Sequence, residues 1–568
     1  MGQRVYSEKQ LLSQRARALM DALHSEGWIP FWRETAQRMA PRTGRFLAGA
    51  TDRGRSGQIR HNYILDNCAV DASNTLAAGF VSGAASPARP WFKSTTADPD
   101  LSRYQPVREW FDRVDEIIRD VLAASNFYRA TFEDFRGLGV FGQSCGMLMA
   151  DDERVLHQYP FAIGEYAWAT DGRDEVQTCV RKMALTTSQM VSEFGWEKVS
   201  GPVRDAWNRG HLDHWWTVWH AIEPNSDRDH NSRGAAGMAW RSCYWEETTQ
   251  GREGYLREGG FRRFPIIAPR WSVEPGETYG FGPGAFAFGD VGQLQHQQLR
   301  KGQVLDFGTA PPLQGPPLRK DDEINFLPSG YTTVDQPGTQ PIKPIWQPTV
   351  PFHEITTDIQ DVRQRIQRAF HVDMFLMLAA TNDVQKTARE IAERSEERLL
   401  QIGPVVARVN NDKLEPTLRM AFETCLERGL LPPAPEELDG QEWRIQFTSI
   451  FSQAQKLVGV ATVERFIGTI NVLAGQNREV LQKVNYDEVV DAYSDMLGVP
   501  ARMIIATDKA MALREAQNQA MAAKEQSAMM AEQAGAIQKL ASSPTGGGNA
   551  LDLMGQLAGY GSPAAAAG

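Results

Sequence analysis

Cysteine is scarce in this chain, with five residues in 568, none closer than 34 positions to the next. That spacing contains no CxxC pair, so neither a zinc ribbon nor a disulfide framework is implied, and the pattern suits a reducing compartment. Long apolar runs are also missing. No stretch of 18 apolar residues occurs, so no membrane-spanning helix is expected. The N-terminal segment is charged from Arg4 onward and lacks the apolar core of a signal peptide, which predicts a soluble protein of intracellular origin. The GxxxxGK[ST], GxSxG and HExxH signatures are absent, which removes the P-loop NTPase, nucleophile-elbow hydrolase and zincin readings.

What is present is a large, ordinary globular composition. The chain is 42% apolar, 23% charged and 9% aromatic, so wholesale disorder is excluded. Its length predicts about three to four domains. Sixty basic against seventy acidic side chains leave a formal charge of −10, which argues against coating nucleic acid by bulk charge. The first sixty residues run the other way, with eleven basic and five acidic side chains.

Periodicity divides the chain. Helices are predicted from Ser7 to Leu23, over Ile59–Ser82, over Asn126–Arg136 and, most clearly, over Val107–Ala124, whose stripe runs Trp110, Val114, Ile117, Ile118, Val121, Leu122. Between Ala150 and Arg270 short β-prone pieces alternate with turns: Phe161–Trp168, Val176–Met183, Trp215–Ile222 and Trp240–Trp245. A Gln-rich helix is expected over Gly284–Phe307, then a long proline- and glycine-rich stretch, then a helix over His353–Phe370 with Ile359, Val362, Ile366 and Phe370 on one face. An apolar patch at Met374–Ala380 precedes a charged helix, Val384–Ile402, and helical patterning resumes over Val405–Arg428, Ser452–Ala474, Asn485–Leu497 and Val499–Leu540. The Gly/Ala/Ser-rich end from Ser542 is expected to be structureless. The class is α+β, mainly helical.

Candidate chemistry is thin. Gly137–Gly142 fits GxGxxG, but a helix precedes it where a dinucleotide site needs a strand, so a packed helix end is the better reading. His211, His214 and His220 have no metal-ligand spacing with an acidic partner and read as packed or hydrogen-bonded imidazoles. Cys145 in GQSCG reads as core, and Asp321-Asp322-Glu323 as a solvated turn. No catalytic residue, cofactor or metal is predicted. The organisation says more: two helices flank a proline-rich insertion, with an α+β body before them and helices after.

A series of segments in that order resembles the portal, or head-to-tail connector, proteins of short-tailed bacteriophages (podoviruses). It includes Phe31-Trp-Arg-Glu-Thr-Ala, Ser86-Pro-Ala-Arg-Pro-Trp-Phe92, Ser125-Asn-Phe-Tyr128, Gly139-Val-Phe-Gly-Gln143, Tyr279-Gly-Phe-Gly-Pro-Gly284, Thr387-Ala-Arg-Glu390 and Ser452-Gln-Ala-Gln-Lys456, and covers residues 5–515. The resemblance implies a non-enzymatic ring, usually of twelve copies, around a channel for double-stranded DNA at one capsid vertex of the virion, made in the cytoplasm of the host bacterium. It implies a wing (1–283), a first stem helix (284–307), a clip (308–352), a second stem helix (353–370), a tunnel loop (371–385), wing-to-crown helices (386–440), a crown (441–505), a C-terminal barrel helix (506–540) and a flexible tail (541–568). Implied partners are the terminase large subunit, tail adaptor or nozzle proteins, major capsid and scaffolding proteins, and internal core or ejection proteins at the crown, with no membrane.

On that resemblance Gln295, Gln298, Arg363, Arg365 and Arg368 become the channel and stem candidates. The three arginines are expected to pair with acids between subunits in preference to meeting DNA. Asp373, Met374, Asn382 and Asp383 would lie on the tunnel loop, and Arg319, Lys320, Asp321, Asp322 and Trp346 would serve docking at the clip. The weaker alternatives are another structural virion protein, such as a minor capsid or tail adaptor component, and a cytosolic enzyme using the glycine turn or histidines.

Overall fold

The computed structural model describes residues 8–43, 64–98, 101–102, 104–232, 234–248, 254–316, 325–334, 342–345, 352–380, 401–448, 468–470, 489, 507–542, 544–545 and 548–549. Two helices open it, α1 (Glu8–Ser25) and α2 (Trp28–Met39). They are separated by Gly27 at φ 84°, a left-handed turn that glycine takes without penalty. The helix α3 (Cys68–Ala84) follows, and it is so rich in Ala, Gly and Ser that neighbours approach its backbone closely. A side chain at Gly79 would overlap the Phe375 ring, so this glycine sets the distance between two core helices. The strand β1 (Phe92–Thr96) leads into α4 (Gln105–Ala124) and α5 (Phe127–Phe141).

The α5 helix ends at Gly142, whose φ of 81° and contact with the Gly280 carbonyl exclude a side chain. The GxGxxG match is therefore a packed helix C-terminus. Of the helix expected over Ile59–Ser82, residues 59–63 lie outside the described residues and residues 64–67 are a turn, with α3 beginning at Cys68, whose N–H donates to Asp66 Oδ1.

A β-rich portion comes next. Strands β2 (Cys145–Asp151) and β3 (Val155–Phe161) pair, and β4 (Tyr166–Thr170), β5 (Val176–Thr186), β6 (Trp215–Pro224), β7 (Trp240–Glu246) and β8 (Arg257–Phe261) form a five-stranded antiparallel sheet in sequential order. The short β9 (Ile266–Ile267) joins β2 on its other edge. Helices α6 (Thr187–Phe194, with a capping box from Thr186 and Gln189) and α7 (Gly201–Asn208) connect β5 to β6. The single strand expected over Phe161–Trp168 is broken by a turn with Gly164 at φ 89°.

A one-turn helix at Pro283–Phe286 precedes α8 (Phe288–Thr309). A three-stranded sheet follows, ordered β11–β10–β12 from β10 (Leu313–Gly315), β11 (Tyr331–Thr333) and β12 (Lys343–Pro344). Then come α9 (Phe352–Ala369) and α10 (Val372–Ala380). The expected tunnel loop over 371–385 is thus helical as far as Ala380. Val372, Met374 and Phe375 are buried against α3, and burying that apolar face winds the segment.

The segment 401–427 is helical apart from a π turn at Asn410–Leu414, and its last part is α11 (Glu415–Glu427). Pro416 explains the π turn. It has no N–H for the carbonyl of residue 412, and its ring would clash there, so the ladder opens by one residue. The strand β13 (Trp443–Phe447) then pairs antiparallel with β1. Residues 443–447, expected in the crown, therefore complete a sheet with residue 92 to residue 96 of the expected wing.

One hydrophobic core gathers α2, α3, α5, the base of α8, α9, α10 and the 401–427 helix. Two further carboxylates are fixed inside this body. Asp134 on α5 meets Lys413 Nζ at 2.6 Å, both side chains buried, and also accepts from Gln158 Nε2 at 2.6 Å. Asp115 on α4 accepts from Ser94 N at 2.9 Å and from the Ser94 hydroxyl, tying β1 to α4. Burial pushes the Asp115 carboxyl up to about 7 against the opposing effect of those donors.

The chain divides into two compact units, Met1–Thr462 and Val463–Gly568. In the second, α12 (Thr507–Ser542) is a single uninterrupted helix about 54 Å long at 1.5 Å per residue. Beyond it Pro544–Thr545 pairs with Gly548–Asn549, a short ladder where no structure was expected. Most of Val384–Ile402 and Ser452–Ala474, and nearly all of Asn485–Leu497, lie outside the described residues.

Candidate functional site

The helices α8 and α9 form an antiparallel hairpin with the small three-stranded sheet at its far end, and its root is held by one side chain the sequence did not single out. Asp66, in the turn before α3, is buried, and its Oδ2 accepts from Arg363 Nε (3.0 Å), Arg363 Nη2 (2.8 Å) and Gln298 Nε2 (2.8 Å). Its Oδ1 accepts the Cys68 N–H at 2.9 Å. One carboxylate thus fastens the first hairpin helix, the second hairpin helix and the start of α3. Burial pushes the Asp66 carboxyl up, but the bonds from Cys68, Arg363 and Gln298 outweigh it and hold it below its ordinary value.

Gln295 completes the joint. Its Oε1 accepts the N–H groups of Leu65 (2.6 Å) and Asp66 (3.0 Å), and its Nε2 donates to the Asp66 carbonyl at 2.9 Å. Three bonds to backbone groups fix this buried amide in place. Gln295 and Gln298 are therefore spent on the hairpin root, as is Arg363.

Arg365 pairs with Asp290 of α8 at 3.3 Å and with Asp361 one turn earlier at 3.6 Å. The acid partners of Arg363 and Arg365 thus lie within the same chain. Arg368 is exposed at the end of α9. Asp373 is exposed and Met374 buried on α10. Asn382, Asp383, Arg319, Lys320, Asp321, Asp322 and Trp346 lie outside the described residues. Asp66 could have been suspected from its position next to the N-terminus of α3, but its two long-range partners leave no local signal.

The other sequence candidates resolve into packing. His220 is buried, stacks on Tyr244 at 3.8 Å and meets Ser242 Oγ at 3.0 Å. Burial, with Arg181 and Arg257 nearby, pushes its pKa well down, so it stays neutral. His211 and His214 are exposed and separate from it. Among the described residues no group of three or more His, Cys, Asp or Glu side chains could hold a metal ion. Cys145 is buried, and burial together with Cys179 beside it pushes its thiol well up, which makes it an inert core residue. Among the described residues no helix is long and apolar enough to cross a membrane.

The chain matches the family described as bacteriophage head to tail connecting protein over residues 10–505. It is 39% identical over 537 residues to a probable portal protein of Bordetella phage BPP-1, covering 94% of this chain and 96% of that protein. It is 35% identical over 530 residues to the portal protein of Salmonella phage epsilon15, covering 93% and 95%.

Proposed function

Because the chain belongs to the family of bacteriophage head-to-tail connecting proteins, the portal proteins, which are structural and not enzymes, we propose that it assembles as a ring of twelve copies at one capsid vertex. The ring encloses a channel through which double-stranded DNA is packaged and later ejected. The α8–α9 hairpin is the stem, the β10–β12 sheet belongs to the clip, residues up to about 283 with the 401–447 segment are the wing, and the second unit supplies crown and barrel.

The observation that carries this reading is the hairpin itself. Among the described residues it is anchored only at its root, it carries a separate small sheet at its tip, and most of its length is left uncovered by its own chain. A protein that worked alone would gain nothing from a long polar hairpin whose faces meet no partner. The electrostatics fit a conduit as well. Arg363 and Arg365 are neutralised by Asp66, Asp290 and Asp361, so they add little of the phosphate affinity that would slow a sliding duplex.

The clip docks the terminase large subunit during packaging and the tail adaptor or nozzle proteins afterwards. The wing meets major capsid and scaffolding proteins, and the crown meets internal core or ejection proteins. Deleting Gln314–Thr349 tests the clip assignment. The variant is expected to keep a folded wing but lose terminase docking or tail attachment, and a deletion variant that still packages DNA and assembles tails overturns it.

A further inference from the structure

A strand at the edge of a sheet carries a row of unpaired N–H and C=O groups, and a folded chain normally closes that row. Three edges here are closed by side chains. On β3, Asn126 accepts the Gln158 N–H at 2.9 Å and donates to the Gln158 carbonyl at 2.7 Å, and Pro160 has no N–H to offer. On β4, the Trp168 N–H donates to the Tyr279 hydroxyl at 3.1 Å. On β1, the Ser94 N–H donates to Asp115 at 2.9 Å. The edge of β8 is weakened by Gly259 and Gly260, which give a further strand no side chain to pack against.

The outer edge of β13 is different. Its register sets Trp443 opposite Thr96, Ile445 opposite Ser94 and Phe447 opposite Phe92. The Thr448 N–H donates to the Trp91 carbonyl at 2.9 Å, and Ser94 turns its own N–H away from β13 toward Asp115. Bonded pairs alternate along an antiparallel ladder. Arg444 and Gln446 therefore bond to β1, while the N–H and C=O groups of Trp443, Ile445 and Phe447 point away from it. Among the described residues none of those groups meets a partner. The strand has no proline and no bulge to blunt this edge. It is also held in place, because Trp443 stacks on Phe422 of α11 at 4.4 Å and Ile445 and Phe447 pack on the core.

Charge marks one end of the edge. In the turn that enters β13, Glu436, Glu437 and Asp439 are exposed and carry no ion pair among the described residues. The nearest bases do not answer them. Arg444 is paired with Glu442 at 3.2 Å, and Lys93 lies on β1 opposite Gln446, one strand further from the open edge.

We propose that β13 receives a third, antiparallel strand from a different protein, an extended segment with alternate apolar side chains and with lysine or arginine at the end beside Trp443. Backbone bonds to Trp443, Ile445 and Phe447 supply affinity, the apolar side chains continue the face those three residues form, and the basic end answers Glu436, Glu437 and Asp439. Pairing of β13 with itself in a second copy is two-fold and closes at a dimer, and its Phe447–Thr448 end offers those acids no base. The inference stands apart from the ring reading, since the edge is open in a single copy.

Amide exchange of the purified full-length protein, resolved to single residues, tests the edge first. Trp443, Ile445 and Phe447 should exchange about tenfold faster than Arg444 and Gln446. Equal protection overturns the proposal, because the chain then covers its own edge. The probes are acetyl-Val-Thr-Val-Thr-Val-Lys-Lys-amide and the same peptide with both lysines replaced by glutamate. The basic peptide is expected to slow exchange at the three residues and to bind about tenfold more tightly than the acidic one. N-methylation of its three valines, whose N–H groups face β13 in this register, should abolish binding. Ile445→Pro removes an N–H that β1 does not use and should weaken binding about tenfold. A triple variant, Glu436→Lys with Glu437→Lys and Asp439→Lys, leaves the strand untouched and should erase the preference for the basic peptide. No protection by either peptide at millimolar concentration overturns the strand addition, and equal binding of the two overturns the basic partner. An edge that is open in the monomer and protected in the assembled protein without peptide assigns it to a neighbouring copy, which overturns the proposal too.

Discussion

In α5, nine of fifteen residues are buried, whereas in α8 three of twenty-two are. Both helices are long and begin in the same core, so the difference lies in what surrounds them. The α5 helix is enclosed by α3, by β3 and by the one-turn helix at Pro283–Phe286, and even its polar Asp134 is matched by Lys413 from a segment far along the chain. The α8 helix leaves that enclosure after Gln298 and continues for three more turns with only α9 beside it among the described residues. Body and hairpin thus differ in what holds them. The first is enclosed by its own chain, and the second is fixed to it at its root by Val291, Leu294, Ile359, Val362 and Ile366 in the core and by the Asp66 joint, with most of the rest of its surface exposed among the described residues.

The largest expected effect breaks the body. Lys413→Met strands the Asp134 carboxylate in the core, and removing one partner of a buried pair costs about 3–5 kcal/mol. Urea or thermal unfolding should show the whole first unit destabilised. An unchanged midpoint would mean that the pair is not shielded as the geometry indicates. Next comes the joint. Asp66→Ala leaves Gln298 and the Cys68 N–H without their acceptor and should cost about 1–3 kcal/mol. Amide exchange should quicken in α8 and α9 and stay unchanged in the five-stranded sheet, whereas uniform quickening would deny that the hairpin is a separable part. The contribution of Asp66 is full above the ordinary carboxylate range and is lost only as pH falls through its lowered folded value.

Asp115 has the opposite sign. Its folded value is raised to about 7, so the folded state holds a proton that the unfolded chain has released. Stability therefore declines as pH rises from the ordinary carboxylate range through about 7. Asp115→Asn should flatten the dependence of melting temperature on pH between about 5 and 8, and a slope equal to wild type would contradict this. The smallest effect is on the uncovered hairpin. Leu299→Ala should change monomer stability by less than about 0.5 kcal/mol while weakening assembly. A large loss in the monomer would show that Leu299 already has a partner in its own chain.

The body was legible where patterns are local. The Val114–Leu122 stripe marked α4, and the Trp-rich pieces Trp215–Ile222 and Trp240–Trp245 marked two central strands of the five-stranded sheet. The helix–insertion–helix order marked the hairpin to within a few residues at each end. Long-range pairing was hidden. Nothing near Trp443 shows that it belongs opposite Thr96, and nothing near Lys413 points to Asp134. The glutamines of α8 were noticed for their composition, but the sequence could not divide Gln295 and Gln298, which hold the root, from His296 and Gln303, which face away. That division depends on where α3 and α9 lie, and only the fold fixes it.

The hairpin's uncovered surface follows from the proposed place of the chain as one wall segment of a ring, and the mass and shape of the purified full-length protein decide whether it has that place. The expected result is a ring with a central channel and a mass of about 760 kDa for twelve copies of the 63.3-kDa chain, seen together by mass measurement and electron microscopy. A chain that remains a 63.3-kDa monomer under all conditions, or an assembled particle without a channel, would contradict it.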